Sequence, residues 1–324
     1  MGRYIIRRLL QAIPLLLFVS FLLFALMQNI GDPLATMGGR QPTRSADRER
    51  LRRLLGLDQP IYMQYLFWLV GNGVLRGDFG TSLVNRGQPV YEVIWQRLPN
   101  TLLLMGVSEV IILATALVMG VYSALRQYSV LDNVMTTISF VAFSIPVFFV
   151  GLGSMFIFAV LFKRWGLPYL PTVGMFDPRV GKTLTQVALH MVLPLFTVSF
   201  GFVAGYSRFV RSTMLEVIGQ DYIRTARAKG LPRRDVVFIH ALKNASLPLV
   251  TIVGLDLPGL LIGALVTERI FAWPGMGRLF LDHVGRADTP VVMGILMMIA
   301  VAVVVFQLLT DIVYGWLDPR IRYT

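Results

Sequence analysis

LLQAIPLLLFVSFLLFALMQNI, residues Leu9 to Ile30, is the stretch whose reading decides the fold. It carries no charge, and its length matches the ~20 residues with which a helix crosses a ~30 Å hydrocarbon layer. In that solvent every backbone N–H and C=O needs an internal partner, so the run reads as an α-helix. A secretory signal is the competing reading, but its apolar part spans only ~7 to 15 residues and ends at an A-x-A-like cleavage site, which has no clean match here. The expectation is an uncleaved first helix. Arg3, Arg7 and Arg8 precede it and place the amino terminus in the cytoplasm.

Five further apolar spans follow outward along the chain, at about 101 to 125, 134 to 162, 186 to 208, 245 to 268 and 290 to 316. Six spans put both termini on one side of the membrane and define an all-α integral membrane protein. Composition agrees: 55% of the 324 residues are hydrophobic and 15% charged, and the mean hydropathy is +0.66, too apolar for an ordinary soluble domain. Lysine and arginine number 30 against 18 acids. In a soluble chain that excess would raise nucleic acid as a partner; here the charges lie between apolar runs rather than on one basic face, so no nucleic acid is expected. Fourteen basic residues fall in the short segments assigned to the cytoplasm, from Arg3 to Arg322, against seven in the two short external loops (Lys163, Arg164, Arg179, Lys182, Arg269, Arg278, Arg286). That asymmetry has the sense the positive-inside rule requires. The chain has no cysteine, which excludes disulfides, thiolate metal sites and cysteine nucleophiles.

The expected organisation is a cytoplasmic terminus and first helix over 1–30, an extracytoplasmic region over 31–100 and a five-helix membrane core over 101–324. Gly31-Asp32-Pro33, Gly38-Gly39, Gly71-Asn72-Gly73 and Gly77-Asp78-Phe79-Gly80-Thr81-Ser82 punctuate the external region. Within it Ser45 is placed to cap a short helix in which Leu51, Leu54 and Leu55 share one face, which stops at Gly56 and would lie against the membrane-embedded body. Pro14, Pro146, Pro194, Pro248 and Pro258 lie in or near the spans, where each removes a helix hydrogen bond; kinking and gating are both open readings. No internal repeat is visible.

The segment from Arg208 to Lys243 is long and basic where a hairpin would need only a few residues. Asp221-Tyr222-Ile223-Arg224-Thr225-Ala226-Arg227-Ala228-Lys229-Gly230 reads as a helix of two to three turns. Asp221 can cap it, Lys229 suits its C-terminal dipole end, and Gly230 with Pro232 stops it. Ala226 and Gly230, four residues apart, would let a partner approach the backbone. A helix lying in anionic headgroups accounts for the same residues, so protein docking and lipid docking both stand.

Thr225 to Gly230 followed by Leu247-Pro248 resembles the "EAA" loop of bacterial ABC importer permeases. More narrowly, the chain resembles the first permease subunit of the dipeptide, oligopeptide and nickel branch (the DppB/OppB type). The likeness covers nearly the whole length: Arg7-Arg8-Leu9, Leu55 to Pro60, Arg76 to Ser82, Arg97 to Thr101, Gln220 to Leu231, His240 to Ala245, Trp273 to Gly277 and Leu317 to Arg322. It departs from the general EAA pattern at Arg224, where a glutamate is expected, and in the greater distance of Leu247-Pro248 from Gly230, as is usual in the peptide branch. The resemblance implies a type I permease fold with six spans and a coupling helix in loop 209–244 that sits in a groove of an ATPase subunit. It further implies a second homologous permease, two cytoplasmic ATPases, an extracytoplasmic solute-binding protein, a location in the inner or plasma membrane, and a peptide or similar small solute. No cofactor and no bond-making catalysis are implied.

Gly181-Lys182-Thr183 imitates a nucleotide-binding loop, but the glycine required five residues before Gly181 is Phe176. His190, His240 and His283 lack metal-ligand spacing, and Met293, Met297 and Met298 read as packing residues. Four acids, Glu109, Asp256, Glu268 and Asp311, fall in or at the ends of spans, where an acid faces a cavity, pairs or takes a proton. Glu109 and Asp256, then Glu268, are candidates for the pathway; Glu268 and Asp311 can also pair near the membrane surfaces. Intramembrane acids raise a proton-coupled secondary transporter as the alternative, a class that usually shows repeats and leaves the Arg208 to Lys243 segment unexplained. An intramembrane hydrolase lacks any Ser/His or paired-Asp constellation.

Overall fold

The computed structural model of the protein describes residues 2–30, 58–71, 77–85, 87–259 and 265–317. The expected Ser45 to Gly56 helix lies outside them. The described residues are helical apart from turns and one isolated antiparallel bridge between Thr81 and Pro89. Five helices are long and apolar enough to cross a membrane: Ile5–Gln28, Val90–Leu125, Val147–Arg164, Leu184–Ile218 and Thr289–Val313. Arg233–Ala245 and Leu247–Asp256, bent by 44° at a short break, pass the same test together, which gives up to six spans if the pair is counted as one.

Two of the expected spans are shaped differently. The run 134 to 162 is broken, because Ile145 is extended (φ −84°, ψ 125°) and Pro146 starts a new helix at Val147. A proline disfavours helical geometry in the residue before it, and cannot donate to the preceding turn. The run 245 to 268 also does not continue as one helix: Leu247–Asp256 ends before Pro258, and a separate short helix occupies Leu265–Ile270. Pro14 and Pro194, in contrast, sit inside unbroken helices.

The chain forms two compact units, Met1–Thr101 with Gly275–Val305 and Leu102–Pro274 with Phe306–Thr324. In the first, Phe24 of the amino-terminal helix packs with Trp68, Leu69, Met293 and Met297, so these methionines are packing residues. Tyr65 reinforces the contact through its hydroxyl, 2.7 Å from Ser20 Oγ. The helix Val90–Trp95 buries Val90, Val93 and Ile94 against Met276, Leu279, Val291 and Ile295. Its approach to the last helix depends on Gly294, where a Cβ would lie 2.7 Å from Val90 Cγ1. Asp288, fully buried, accepts hydrogen bonds from Ser82 Oγ (2.5 Å) and from the Leu83 (3.1 Å) and Val84 (3.2 Å) amides. It thereby ties down the turn after the Gly77 to Thr81 stretch.

The second unit is organised by the 35-residue helix Leu184–Ile218. Thr183 caps it by accepting from the Gln186 amide, which gives Gly181-Lys182-Thr183 a structural role. From its middle onward it packs Val198, Tyr206, Val210 and Met214 against Met105, Ile112, Ala116 and Val121. Contact is closest at Gly120, where an added Cβ would meet Ser207 O at 2.7 Å. At ~1.5 Å per residue the helix is ~50 Å long, longer than the ~30 Å hydrocarbon layer, so it extends beyond the lipid.

Candidate functional site

That long helix runs to Ile218, about three turns past its expected end at 208, and the chain then reverses. Gln220 is extended (φ −73°, ψ 151°), and the helix Asp221–Ala228 begins. The N-cap is therefore Gln220, not Asp221, and no side chain caps this end. Asp221 occupies the first turn, where a carboxylate still suits the positive end of the helix dipole. At the other end Gly230 takes φ +77°. The Gly230 amide donates to Arg227 O (3.0 Å) and the Leu231 amide to Ala226 O (3.4 Å), the paired bonds of a Schellman stop.

Ile223 (0% exposed) and Ala226 (7%) point inward and share an apolar cluster with Met214, Val236, Val237 and Ala241. Ala226 was expected to face a partner; three residues after Ile223, it completes the helix's one apolar stripe instead. Gly230 is exposed but acts as the helix stop. What the helix presents outward is Asp221, Tyr222, Arg224, Thr225, Arg227, Ala228 and Lys229, all exposed. The Arg224 to Asp221 pair (3.5 Å) is fully in solvent and contributes little.

A brace stands on the same long helix. Arg211 Nε and Nη2 donate to Asp132 Oδ1 (2.8 Å) and Oδ2 (3.0 Å), a bidentate pair with the carboxylate 1% exposed. Asp132 Oδ2 also accepts from the Tyr128 amide at 2.9 Å, and Ser129 Oγ caps the helix by accepting from the Asp132 amide. The turn before Val130–Ser144 is thus fastened to Leu184–Ile218. The Ser129-x-x-Asp132 pattern is a legible capping signature; its arginine partner, 79 residues on, is not.

Of the three expected pathway acids, the structure brings two together. Glu109 and Asp256 line one chamber of about 380 Å³, with Thr267 and an otherwise mostly apolar wall. Tyr206 donates its hydroxyl proton to Asp256 Oδ2 at 2.5 Å. Glu109 Oε1 and Thr267 Oγ1 are buried without a hydrogen-bond partner among the described residues. Glu268, the residue after Thr267, is fully buried and does not line the chamber. Tyr206 and Thr267 had no sequence signal, since neither is out of place in a membrane helix. His190 and His283 are used locally, their Nδ1 atoms lying 2.8 Å from Gln186 O and 3.0 Å from Leu279 O.

A membrane body, an exposed polar helix face and a chamber carrying acids are compatible with a solute-transport subunit. Residues 116–323 match the family described as binding-protein-dependent transport system inner membrane component, and residues 1–105 match the N-terminal family of the same systems. The chain is 44% identical over the full length of both proteins to the oligopeptide transport system permease protein AppB of Bacillus subtilis. It is 36% identical to the dipeptide transport system permease protein DppB of Escherichia coli K12 (100% of this chain, 99% of that one) and 36% identical to the oligopeptide transport system permease protein OppB of Mycobacterium bovis (99% of each). The chain belongs to the inner-membrane permease family of binding-protein-dependent ABC importers. It is a multi-pass membrane subunit that works with ATPase, binding-protein and permease partners, and ATP hydrolysis lies on separate subunits. The proton-coupled alternative has no support from these relatives.

Proposed function

We propose that this chain is one of two permeases through which a peptide, handed over by an extracytoplasmic binding protein, enters the cytoplasm. The relatives named for oligopeptide and dipeptide transport support the solute class. In this reading two cytoplasmic ATPases drive the cycle, both termini are cytoplasmic, and residues 31–100, 163–185 and 269–289 face outward. The segment 209–244 carries the coupling helix, with Asp221, Tyr222, Arg224, Thr225, Arg227, Ala228 and Lys229 as the docking face and Ile223 and Ala226 as its attachment to the membrane body.

One observation carries the docking assignment. A helix that rests on lipid inserts its apolar face between acyl chains, whereas here that face, Ile223 and Ala226, is already buried in this chain. The remaining face is polar and mixed in charge, which suits a protein groove. The test is reconstitution of the complex in vesicles. ATP-driven uptake of peptide that persists when the proton gradient is collapsed is the expected result. Uptake driven by a gradient through this chain without its ATPases would overturn the reading.

A further inference from the structure

The chamber around Glu109 and Asp256 has an unusual polar inventory. A carboxylate in a membrane body is costly unless it is paired, yet Glu109 Oε1 is buried with no donor among the described residues. Thr267, 1% exposed and lining the same chamber, also leaves its Oγ1 without a partner. Asp256 has only Oδ2 engaged, by Tyr206. Buried polar atoms are ordinarily satisfied, so the orphaned oxygens of Glu109 and Thr267, beside the exposed Asp256 carboxylate, await a donor-rich, positively charged group.

The chemistry narrows that group. No set of three His, Cys, Asp or Glu residues able to hold a metal ion exists among the described residues, and two carboxylates with a hydroxyl fall short of the oxygen shells that hard cations require. The remaining wall includes Ile112, Val198 and Phe202, which would not solvate an aquated ion but would accept the carbon skeleton of an organic one. A primary ammonium carries three N–H donors on an apolar stem, enough for the two buried oxygens of Glu109 and Thr267 and for the exposed Asp256 carboxylate.

We infer that Glu109, Asp256 and Thr267 form a transient receptor for the terminal ammonium group of the solute, with Tyr206 holding the Asp256 carboxylate in place. The inference rests on the importer reading for its biological meaning, since it supplies that path with a group that recognises a free amino end. The chamber's 380 Å³ leaves room for the amine and its first side chain. The site works in transit, so it holds the amine only weakly.

Two readouts test it in the purified complex. Reaction of Glu109 with a hydrophobic carbodiimide, followed by mass spectrometry, should be slowed several-fold by trialanine amide and not by its N-acetyl form, and Asp256→Asn or Thr267→Val should abolish that protection. In vesicles, the preference for trialanine amide over its N-acetyl form should fall about tenfold in Glu109→Gln. Equal protection by both peptides, protection by sodium or nickel ions instead, or an unchanged preference in Glu109→Gln would overturn the inference. Amine-specific protection without any ATP-driven peptide uptake would leave the receptor standing and remove the importer reading.

Discussion

Asp132 shows how a single buried charge ties the turn before Val130–Ser144 to the long helix Leu184–Ile218. Its carboxylate is 1% exposed and survives there because Arg211 meets it with two N–H groups and the Tyr128 amide with a third. Losing one partner of a buried pair leaves the other charge uncompensated, which costs several kcal/mol, whereas removing both is far milder. Arg211 is one-quarter exposed, so solvent softens the loss. Arg211→Gln should destabilise the purified protein by about 2 kcal/mol, and Asp132→Asn added to it should restore part of the thermal midpoint. A double variant as unstable as the two single losses summed would show that the pair is not coupled. The sequence carried half of this device, the Ser129 to Asp132 cap, because capping is local. Arg211 read only as one more cytoplasmic charge, since a contact across 79 residues leaves no trace in spacing.

At the scale of the element, the short helix Asp221–Ala228 is where reading and structure differ most usefully. Its extent and its stop at Gly230 were legible, because Gly followed by Leu-Pro is a strong end signal. Its facing was not. Ala226 is both small, hence permissive of close approach, and apolar, hence fit for burial; which property is used depends on Val236, Val237 and Ala241 folding back beneath it. The same limit applied to Pro146: its presence was visible, but whether it sits inside a helix as Pro14 does or ends one depends on surrounding packing. Gly230 offers a clean test at this scale. Its φ is +77°, and an added Cβ meets nothing within 4 Å, so any penalty comes from the backbone alone. Gly230→Asn should be tolerated, and Gly230→Val should cost about 1 to 2 kcal/mol and loosen the end of the helix. Equal ATPase co-purification and equal coupling of hydrolysis to uptake in the two variants would refute that role for the stop.

For the whole molecule, the membrane character, the all-helical class and the family were legible from hydropathy and scattered motifs, because lipid imposes a strict length and satisfaction rule on every span. The chamber was legible only as isolated acids; that Glu109 and Asp256 share one wall while Glu268 does not depends on how distant helices pack. The projection of Leu184–Ile218 beyond the lipid was also missed, as polar residues after Arg208 mark where lipid ends and not where the helix ends.

The central claim is that the outward face of Asp221–Ala228 lies on the cytoplasmic side and transmits ATPase motion to the membrane body. The most direct measurement replaces Tyr222, an exposed aromatic residue on that face, with the photoreactive analogue p-benzoylphenylalanine and irradiates the assembled complex in native membranes. The account predicts a covalent adduct between this chain and the ATPase subunit, formed in competition with solvent. Adducts with lipid or with the extracytoplasmic binding protein, and none with the ATPase, would contradict both the docking and the orientation.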